Sequence, residues 1–377
     1  MKKSVKLSIA MALMMGATAG INTVAPSTAS AEISDKFRME VNGITSYYHD
    51  TNSLYYGNRR ADGKYNSSGW NNYTRVQLNY YVDKSLSMVA RLHSGYDGLG
   101  YHSKNTNETG AYFDQSYLKY DDKKSNLHFI IGKKGMTLGQ SMVYNSTGNL
   151  TGVQVSYGNW YDPFCVQLTY GDNKSGNRIW SAQVTKSLSK ATSMNLTYVS
   201  GDQIYNSNYY EFNKKNGKNE QKYDSKYITT QRDNFIDVGG KVKFHGVTLV
   251  GEWAKNIANH PIKGLTNPGS KKAWFVELYT GPTNDFGSGL PLQKPGTHAF
   301  SVRYQDIGKH GTYSHNNTFY DDQKGIRLDY GMVLKKGLSF DIVYGRMKDK
   351  GTSSDGVDNN KGRWSNIFVA SLAYKFH

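Results

Sequence analysis

The sequence predicts an all-β fold: a transmembrane antiparallel up-and-down β-barrel of about sixteen strands. Three observations predict it. Apolar and polar residues alternate with a period of two through most of the chain. The connections between alternating runs switch regularly between long and short. The chain also closes on an amphipathic strand with an aromatic residue near its end.

The first residues are read as a signal peptide rather than as part of the fold. Lys2, Lys3 and Lys6 form a basic start, an apolar stretch follows from Leu7 to Gly20, and Ala29-Ser30-Ala31 suits a signal peptidase. The apolar stretch is shorter than the roughly 20 residues a spanning helix needs. The expected division is therefore 1–31 signal peptide and 32–377 outer-membrane barrel. Removing three lysines and no acid takes the formal net charge from +16 to +13.

Composition agrees with strands. The chain holds 30 Tyr, 14 Phe, 6 Trp and 39 Gly against only 7 Pro. Aromatic side chains suit a pleated surface, and Tyr and Trp suit a boundary between lipid and water. Mean hydropathy is −0.65, and no later stretch is apolar enough for a spanning helix. Barrel strands escape that test because only every second residue meets lipid. The lone Cys165 excludes an intrachain disulfide framework.

The elements follow in order. Thr74, Val76, Leu78, Tyr80 and Val82 alternate with Arg75, Gln77, Asn79 and Tyr81, and Leu86, Met88, Ala90 and Leu92 repeat the pattern after Asp83-Lys84-Ser85. Two such runs with a tight link make a hairpin. Like runs, each near the roughly 10 residues of a tilted spanning strand, lie at 35–48, 73–82, 86–97, 111–121, 126–134, 151–158, 164–172 and 179–187. The rest lie at 192–201, 233–244, 246–256, 272–281, 297–306, 323–334, 337–347 and 364–376. Long connections are expected at 49–72, 98–110, 135–150, 202–232, 257–271, 307–322 and 348–363. Short ones are Asp83–Ser85, Asp121–Ser125, Asn159–Pro163, Leu188–Ala191, His245 and Lys335–Gly337. An even strand count sets both termini on the short-turn, periplasmic side. Two connections break the pattern: 173–178 is short for an outer loop, and 282–296, with Pro282, Pro291 and Pro295, is long for an inner turn. A secreted sandwich or propeller would explain the alternation but not the asymmetry of the connections.

In the last run Phe368, Ala370, Leu372, Tyr374 and Phe376 share one face. It resembles the C-terminal signal of outer-membrane barrels, which implies the barrel-assembly machinery as a partner. Here His377 follows the aromatic residue.

Four further segments resemble the Gram-negative general porins: Phe37-Arg38-Met39-Glu40-Val41-Asn42-Gly43, Phe113-Asp114-Gln115-Ser116-Tyr117-Leu118, Ile131-Gly132-Lys133-Lys134-Gly135 and Gly152-Val153-Gln154-Val155-Ser156-Tyr157. The resemblance implies a passive channel for ions and small hydrophilic solutes, a homotrimer, and a third external loop folded into the barrel after the fifth strand. By position that loop is 135–150. It holds no Asp or Glu, unlike the acidic loop of many porins.

A charge facing lipid at mid-depth costs roughly 2–4 kcal/mol, so charged strand residues are expected inside. The basic inward set is Arg75, Arg91, Lys119, Lys241, Lys243, Arg303 and Arg327, with Lys133 and Lys134 entering the constriction. The inward acids are Asp114, Asp237, Glu252, Glu277, Asp329 and Asp341. The basic excess predicts a modest anion preference. Lys214, Lys215, Lys218 and Lys222 lie in an expected outer loop, where they suit the anionic outer-membrane lipid.

No nucleotide loop or His-Glu-x-x-His pair is present, and the ten His are scattered, so no cofactor, metal, nucleic acid or enzymatic activity is expected. Two other functions fit the same barrel. An outer-membrane protease or phospholipase would place its catalytic group at one rim. An adhesin would use the long loops 49–72 and 202–232.

Overall fold

Sixteen strands, each hydrogen-bonded to two neighbours, close into one antiparallel barrel. The computed structural model describes residues 36–51, 66–95, 111–158, 163–173, 177–206, 209–213, 218–222, 228–259, 270–313, 322–350 and 362–376. The expected signal peptide, 1–31, lies outside these residues, as do the middles of most long connections.

The strands are β1 Phe37–Thr51, β2 Asn66–Tyr81, β3 Leu86–Gly95, β4 Tyr112–Asp122, β5 Leu127–Leu138, β6 Tyr144–Tyr157, β7 Phe164–Asn173, β8 Arg178–Ser187 and β9 Thr192–Asn206. A separate two-stranded sheet follows, β10 Tyr209–Asn213 and β11 Lys218–Lys222. The wall resumes with β12 Ile228–Phe244, β13 Val247–Asn256, β14 Lys272–Thr280, β15 His298–Ile307, β16 Gln323–Lys335, β17 Leu338–Asp349 and β18 Trp364–Phe376. The ring closes where β1 pairs β18, from Val41 opposite Phe376 to Asp50 opposite Ile367. The terminal strand therefore presents no free edge.

Alternation sorts the side chains. Leu118, Ile131, Leu168, Leu196, Val276 and Ile326 are exposed on the outer face. Ser181, Gln183, Thr185, Asn195, Thr197 and Ser301 are buried on the inner one. The outer face also carries two aromatic belts. Trp70, Trp180, Trp253, Trp274 and Trp364 lie toward the long-connection end of their strands, and Phe129, Phe164, Phe244, Phe300 and Phe376 toward the short-turn end. An apolar wall between aromatic girdles is the surface of a lipid-embedded barrel.

The short turns have local chemistry that sets them. The backbone N–H groups of Ser85 and Leu86 donate to Asp83 Oδ1 at 2.7 and 2.9 Å. They hold its carboxyl below the usual aspartate range, Ser85 first. His245 and Gly246 both take positive φ, 45° and 82°, as the tightest hairpin turns require.

Two segments depart from the sequence reading, and a third, the long connection singled out at 282–296, is found as such. The loop expected at 135–150 is largely strand: β5 and β6 remain paired through Leu138 and Tyr144, with a bulge between Lys134 and Met136. Met136 and Leu138 are buried about the exposed Thr137, but alternation fails beyond them because Met142, Val143 and Tyr144 are buried in succession. The loop expected at 202–232 contains the ends of β9 and β12, paired to Asn206 and Ile228, and the β10–β11 hairpin. Backbone pairing continues where the sequence loses its apolar period.

The third is the connection from β14 to β15, 281–297, which turns into the short-turn mouth. Phe286 and Leu290, the latter in a single 3-10 turn, pack with Ala299 and Val333 on the inner wall. Gly331 makes room: a Cβ there would lie 2.5 Å from both Leu290 Cδ2 and Phe286 Cδ1. On the far side a Cβ at Gly287 would lie 2.9 Å from Ile44 Cδ1 of β1.

Strict alternation would set Asp114 and Lys119 on opposite faces, since they stand five residues apart. Both face inward. Between β3 and β4 the register passes from Arg91 opposite Gln115 to Leu92 opposite Phe113, so Asp114 is the extra residue of a β-bulge.

The seam is tight. A Cβ at Gly43 would stand 2.3 Å from the Tyr73 carbonyl oxygen and 2.4 Å from Tyr374 Oη, which itself hydrogen-bonds Thr74 Oγ1 at 2.5 Å. Gly43→Ala is expected to destabilise the closed barrel by about 1–3 kcal/mol through overpacking. Urea unfolding in micelles checks it, and an unchanged midpoint would refute the close approach.

Candidate functional site in the barrel lumen

The inner wall gathers its charges in three places. The first lies on β2, β3 and β4. Arg91 meets Asp114 with two parallel bonds, Nε to Oδ1 at 2.8 Å and Nη2 to Oδ2 at 2.7 Å. Arg75 Nε stands 3.3 Å from the same carboxylate and donates to His93 Nδ1 at 2.9 Å. With Nδ1 accepting, the ring proton belongs on Nε2, which faces the Gly95 carbonyl oxygen at 3.1 Å. His93 Nδ1 also stands 3.4 Å from Asp114 Oδ2. Among the described residues two guanidinium groups share this one carboxylate. Tyr73 and Tyr112 stack on either side of His93, at 5.5 and 5.1 Å. The bulge at Asp114 makes the group possible by turning its carboxylate inward.

The second place lies on β14, β15 and β16. Glu277 stands opposite Arg303 in register and accepts from its Nη2 at 2.7 Å. Arg303 also lies 5.1 Å over the Phe275 ring and opposite Arg327 on the next strand. Arg327 Nε donates to Asp329 Oδ1 at 2.8 Å, and Ser301 Oγ to Asp329 Oδ2 at 3.0 Å. The carboxylates fix the planes of both guanidinium groups.

The third place is the β5–β6 hairpin. Its tip reaches inward-facing side chains several strands away around the wall. Gly139 N–H donates to Gln183 Oε1 of β8 at 2.7 Å, and Gln140 Nε2 to Asn195 Oδ1 of β9 at 2.6 Å. The N–H groups of Met142 and Val143 donate to the two oxygens of Glu252 on β13 at 3.0 and 3.2 Å. Gly139 takes φ +63°, and a Cβ there would stand 2.0 Å from Glu252 Oε1 and 2.7 Å from Asp237 Oδ1. Met142, Val143 and Tyr144 pack with Ile179, Val199, Phe235 and Val250 of the wall. Tyr313, beyond β15, closes the other side. Its N–H donates to the Val143 carbonyl oxygen at 3.0 Å, its hydroxyl to that of Asp202 at 3.1 Å, and its ring lies 5.7 Å from Tyr144. The hairpin thus lies inside the barrel against β8, β9, β12 and β13. The arginine groups occupy the arcs on either side.

The residues singled out from sequence divide accordingly. Arg75, Arg91 and Asp114 come together. Arg303, Arg327 and Asp329 form the second group. Glu252 is an anchor for the hairpin rather than an open charge. Lys134 is buried on the inner face and donates to Gln154 Oε1. Lys119 is paired with Asp121 at 2.7 Å. Lys241 stands opposite Val250, itself opposite Glu277, and Lys243 lies nearer the short turn of β12. Lys133 requires correction. It occupies the outer face of β5, donating to the Phe113 carbonyl oxygen at 2.9 Å beside the Tyr112 ring, because adjacent strand residues point to opposite sides. Sequence reasoning missed Gln183, Asn195, His93 and Tyr313. Inward Gln and Asn at strand parity were the available sign for the first two.

No family model and no curated protein matches the sequence. Solved structures do. OprB of Pseudomonas putida superposes with a TM-score of 0.56 at 12% identity, over 90% of this chain and 94% of that one. An anion-selective porin from Comamonas acidovorans gives 0.53 at 12% identity, over 90% and 100%. The trimer form of OmpT, an outer membrane protein of Vibrio cholerae, gives 0.52 at 13% identity, over 91% and 100%. The fold is that of the bacterial outer-membrane porins.

Glu252→Ala would leave two buried N–H groups without their acceptor, at about 1–3 kcal/mol each. Amide exchange at Met142 and Val143 is expected to accelerate by at least about tenfold, and less in Glu252→Gln, which keeps one acceptor. Unchanged exchange in Glu252→Ala would show that the tip does not depend on this carboxylate.

Proposed function

We propose that the protein is a water-filled channel through which ions and small hydrophilic solutes diffuse passively across the outer membrane. The observation that carries this reading is a closed barrel whose outer wall is apolar and whose inner wall is lined with charged and polar side chains. An interior of that kind holds water. The β5–β6 hairpin is the narrowing of the channel, and Arg75, Arg91, Arg303 and Arg327 line the arcs it leaves uncovered. The tip carries no acidic residue, so the field in the narrow zone is set by the wall. Among the described residues Arg303 and Arg327 are matched by Glu277 and Asp329, so the basic excess is that of Arg75 and Arg91 over Asp114, and such an excess raises the local anion concentration. The similarity to an anion-selective porin agrees with that preference, and the trimer form among the similar structures supports a homotrimer. Export by a cleaved segment 1–31 and insertion through the terminal strand by the barrel-assembly machinery complete the reading.

Planar-bilayer recording of the purified mature chain is expected to show stepwise, ohmic conductance, with a reversal potential in a salt gradient of anion-selective sign. Arg75→Gln/Arg91→Gln is expected to lower the anion-over-cation permeability ratio by about twofold or more. Silence at all voltages would sink the channel reading. A cation-selective wild type would sink the anion preference alone.

A further inference from the structure

We propose that the short-turn rim of the barrel is a docking surface for anionic phospholipid headgroups. The proposal rests on the reading of this barrel as membrane-spanning, and it assigns a partner to a surface that the channel does not use. Lysines recur around that rim. Lys36 precedes β1, Lys84 lies in the β2–β3 turn, Lys124 in the β4–β5 turn, Lys190 in the β8–β9 turn and Lys336 in the β16–β17 turn, and all are exposed.

The acids of the same turns face their own backbone. Asp83 accepts from the N–H groups of Ser85 and Leu86. Asp122 accepts from the Lys124 N–H at 3.0 Å and from Ser125 Oγ at 2.7 Å. The carboxylates are thus committed to shaping the turns. Lys36 Nζ donates to the Val82 carbonyl oxygen at 2.9 Å, while Lys84, Lys124, Lys190 and Lys336 stand exposed. The rim presents a positive ring to whatever lies beside it.

Height and direction select the partner. The ring lies just beyond the belt of Phe129, Phe164, Phe244, Phe300 and Phe376, where acyl chains give way to headgroups. Lys186 is decisive for direction. It is exposed at outer-face parity on β8, directly opposite Phe164 on one neighbour and Met194 on the other. A cation there points sideways into the lipid boundary, neither into the lumen nor along the barrel axis. Its long stem can lie on the apolar wall while the ammonium reaches the phosphate layer. A wall polymer beneath the barrel would meet the turns but not this side chain, whereas an anionic leaflet meets both.

The experiment uses the mature barrel reconstituted in bilayers of phosphatidylethanolamine and phosphatidylglycerol, extracted with its annular lipid and weighed by native mass spectrometry. The wild type is expected to retain phosphatidylglycerol above its share of the bilayer. Replacing Lys84, Lys124, Lys186, Lys190 and Lys336 together by Gln is expected to reduce that enrichment by at least about fivefold, as high salt would. Heat-modifiable electrophoretic mobility reports barrel closure. Should the fivefold variant fail to close, Lys186→Gln alone is expected to show a smaller loss in the same direction. Equal retention of both lipids by the wild type overturns the proposal, as does a closed variant with undiminished enrichment. Binding to isolated peptidoglycan sacculi without lipid enrichment also overturns it and assigns the ring to the wall polymer. A wild type that selects the anionic lipid yet conducts no current counts against the channel and leaves the rim assignment standing.

Discussion

The whole structure answers to one constraint: in hydrocarbon, a backbone N–H or C=O without a partner costs several kcal/mol, so a sheet that crosses lipid must close. The β1–β18 ladder meets it. Closure fixes which residues face lipid and which face the lumen, because every strand inherits its register from its neighbours. Gly43 and Tyr374 show how little slack remains where the ends meet. The polar inner wall follows, since charges barred from the lipid face have only the interior left.

That interior is not filled evenly. A second sheet-like element, the β5–β6 hairpin, is held inside by side chains of the wall that follows it, on β8, β9 and β13. The wall offers acceptors, Gln183, Asn195 and Glu252, to the donors of the tip. The chain itself supplies the clamp on the other side through Tyr313. Fixing the hairpin against one arc leaves the paired arginine groups to line the remaining arcs. The geometry of the narrow zone is therefore a by-product of anchoring as much as of the charged residues themselves.

Period and connection length made the barrel legible. Leu196 and Asn195 could be assigned to opposite faces from alternation alone. What alternation could not show was any place where the ladder changes step or the environment becomes the same on both faces. Asp114 faces inward only because a bulge adds a residue to β4. Met142, Val143 and Tyr144 show no strand alternation because all three are buried where the hairpin packs inside. Lys133 and Lys134 looked alike as neighbours in a basic pair, yet the pleat separates them onto lipid and lumen faces. Tyr313 follows β15 and acts far across the barrel. No local pattern marks a contact of that range.

The tight turns, such as Asp83–Ser85 and His245-Gly246, have a consequence in time as well as in space. They join strand pairs such as β2–β3 and β12–β13 over a few residues, and such pairings form rapidly because little chain must be closed. The seam is the opposite case: Thr51 Oγ1 bonds the Asn366 carbonyl oxygen across 315 residues. Closing the seam therefore carries the largest loop-closure cost of any pairing in the wall. Until then the chain is an open sheet with two unpaired margins, one of them bearing Phe368 and Leu372, and it needs shelter from like sheets for as long as that wait lasts.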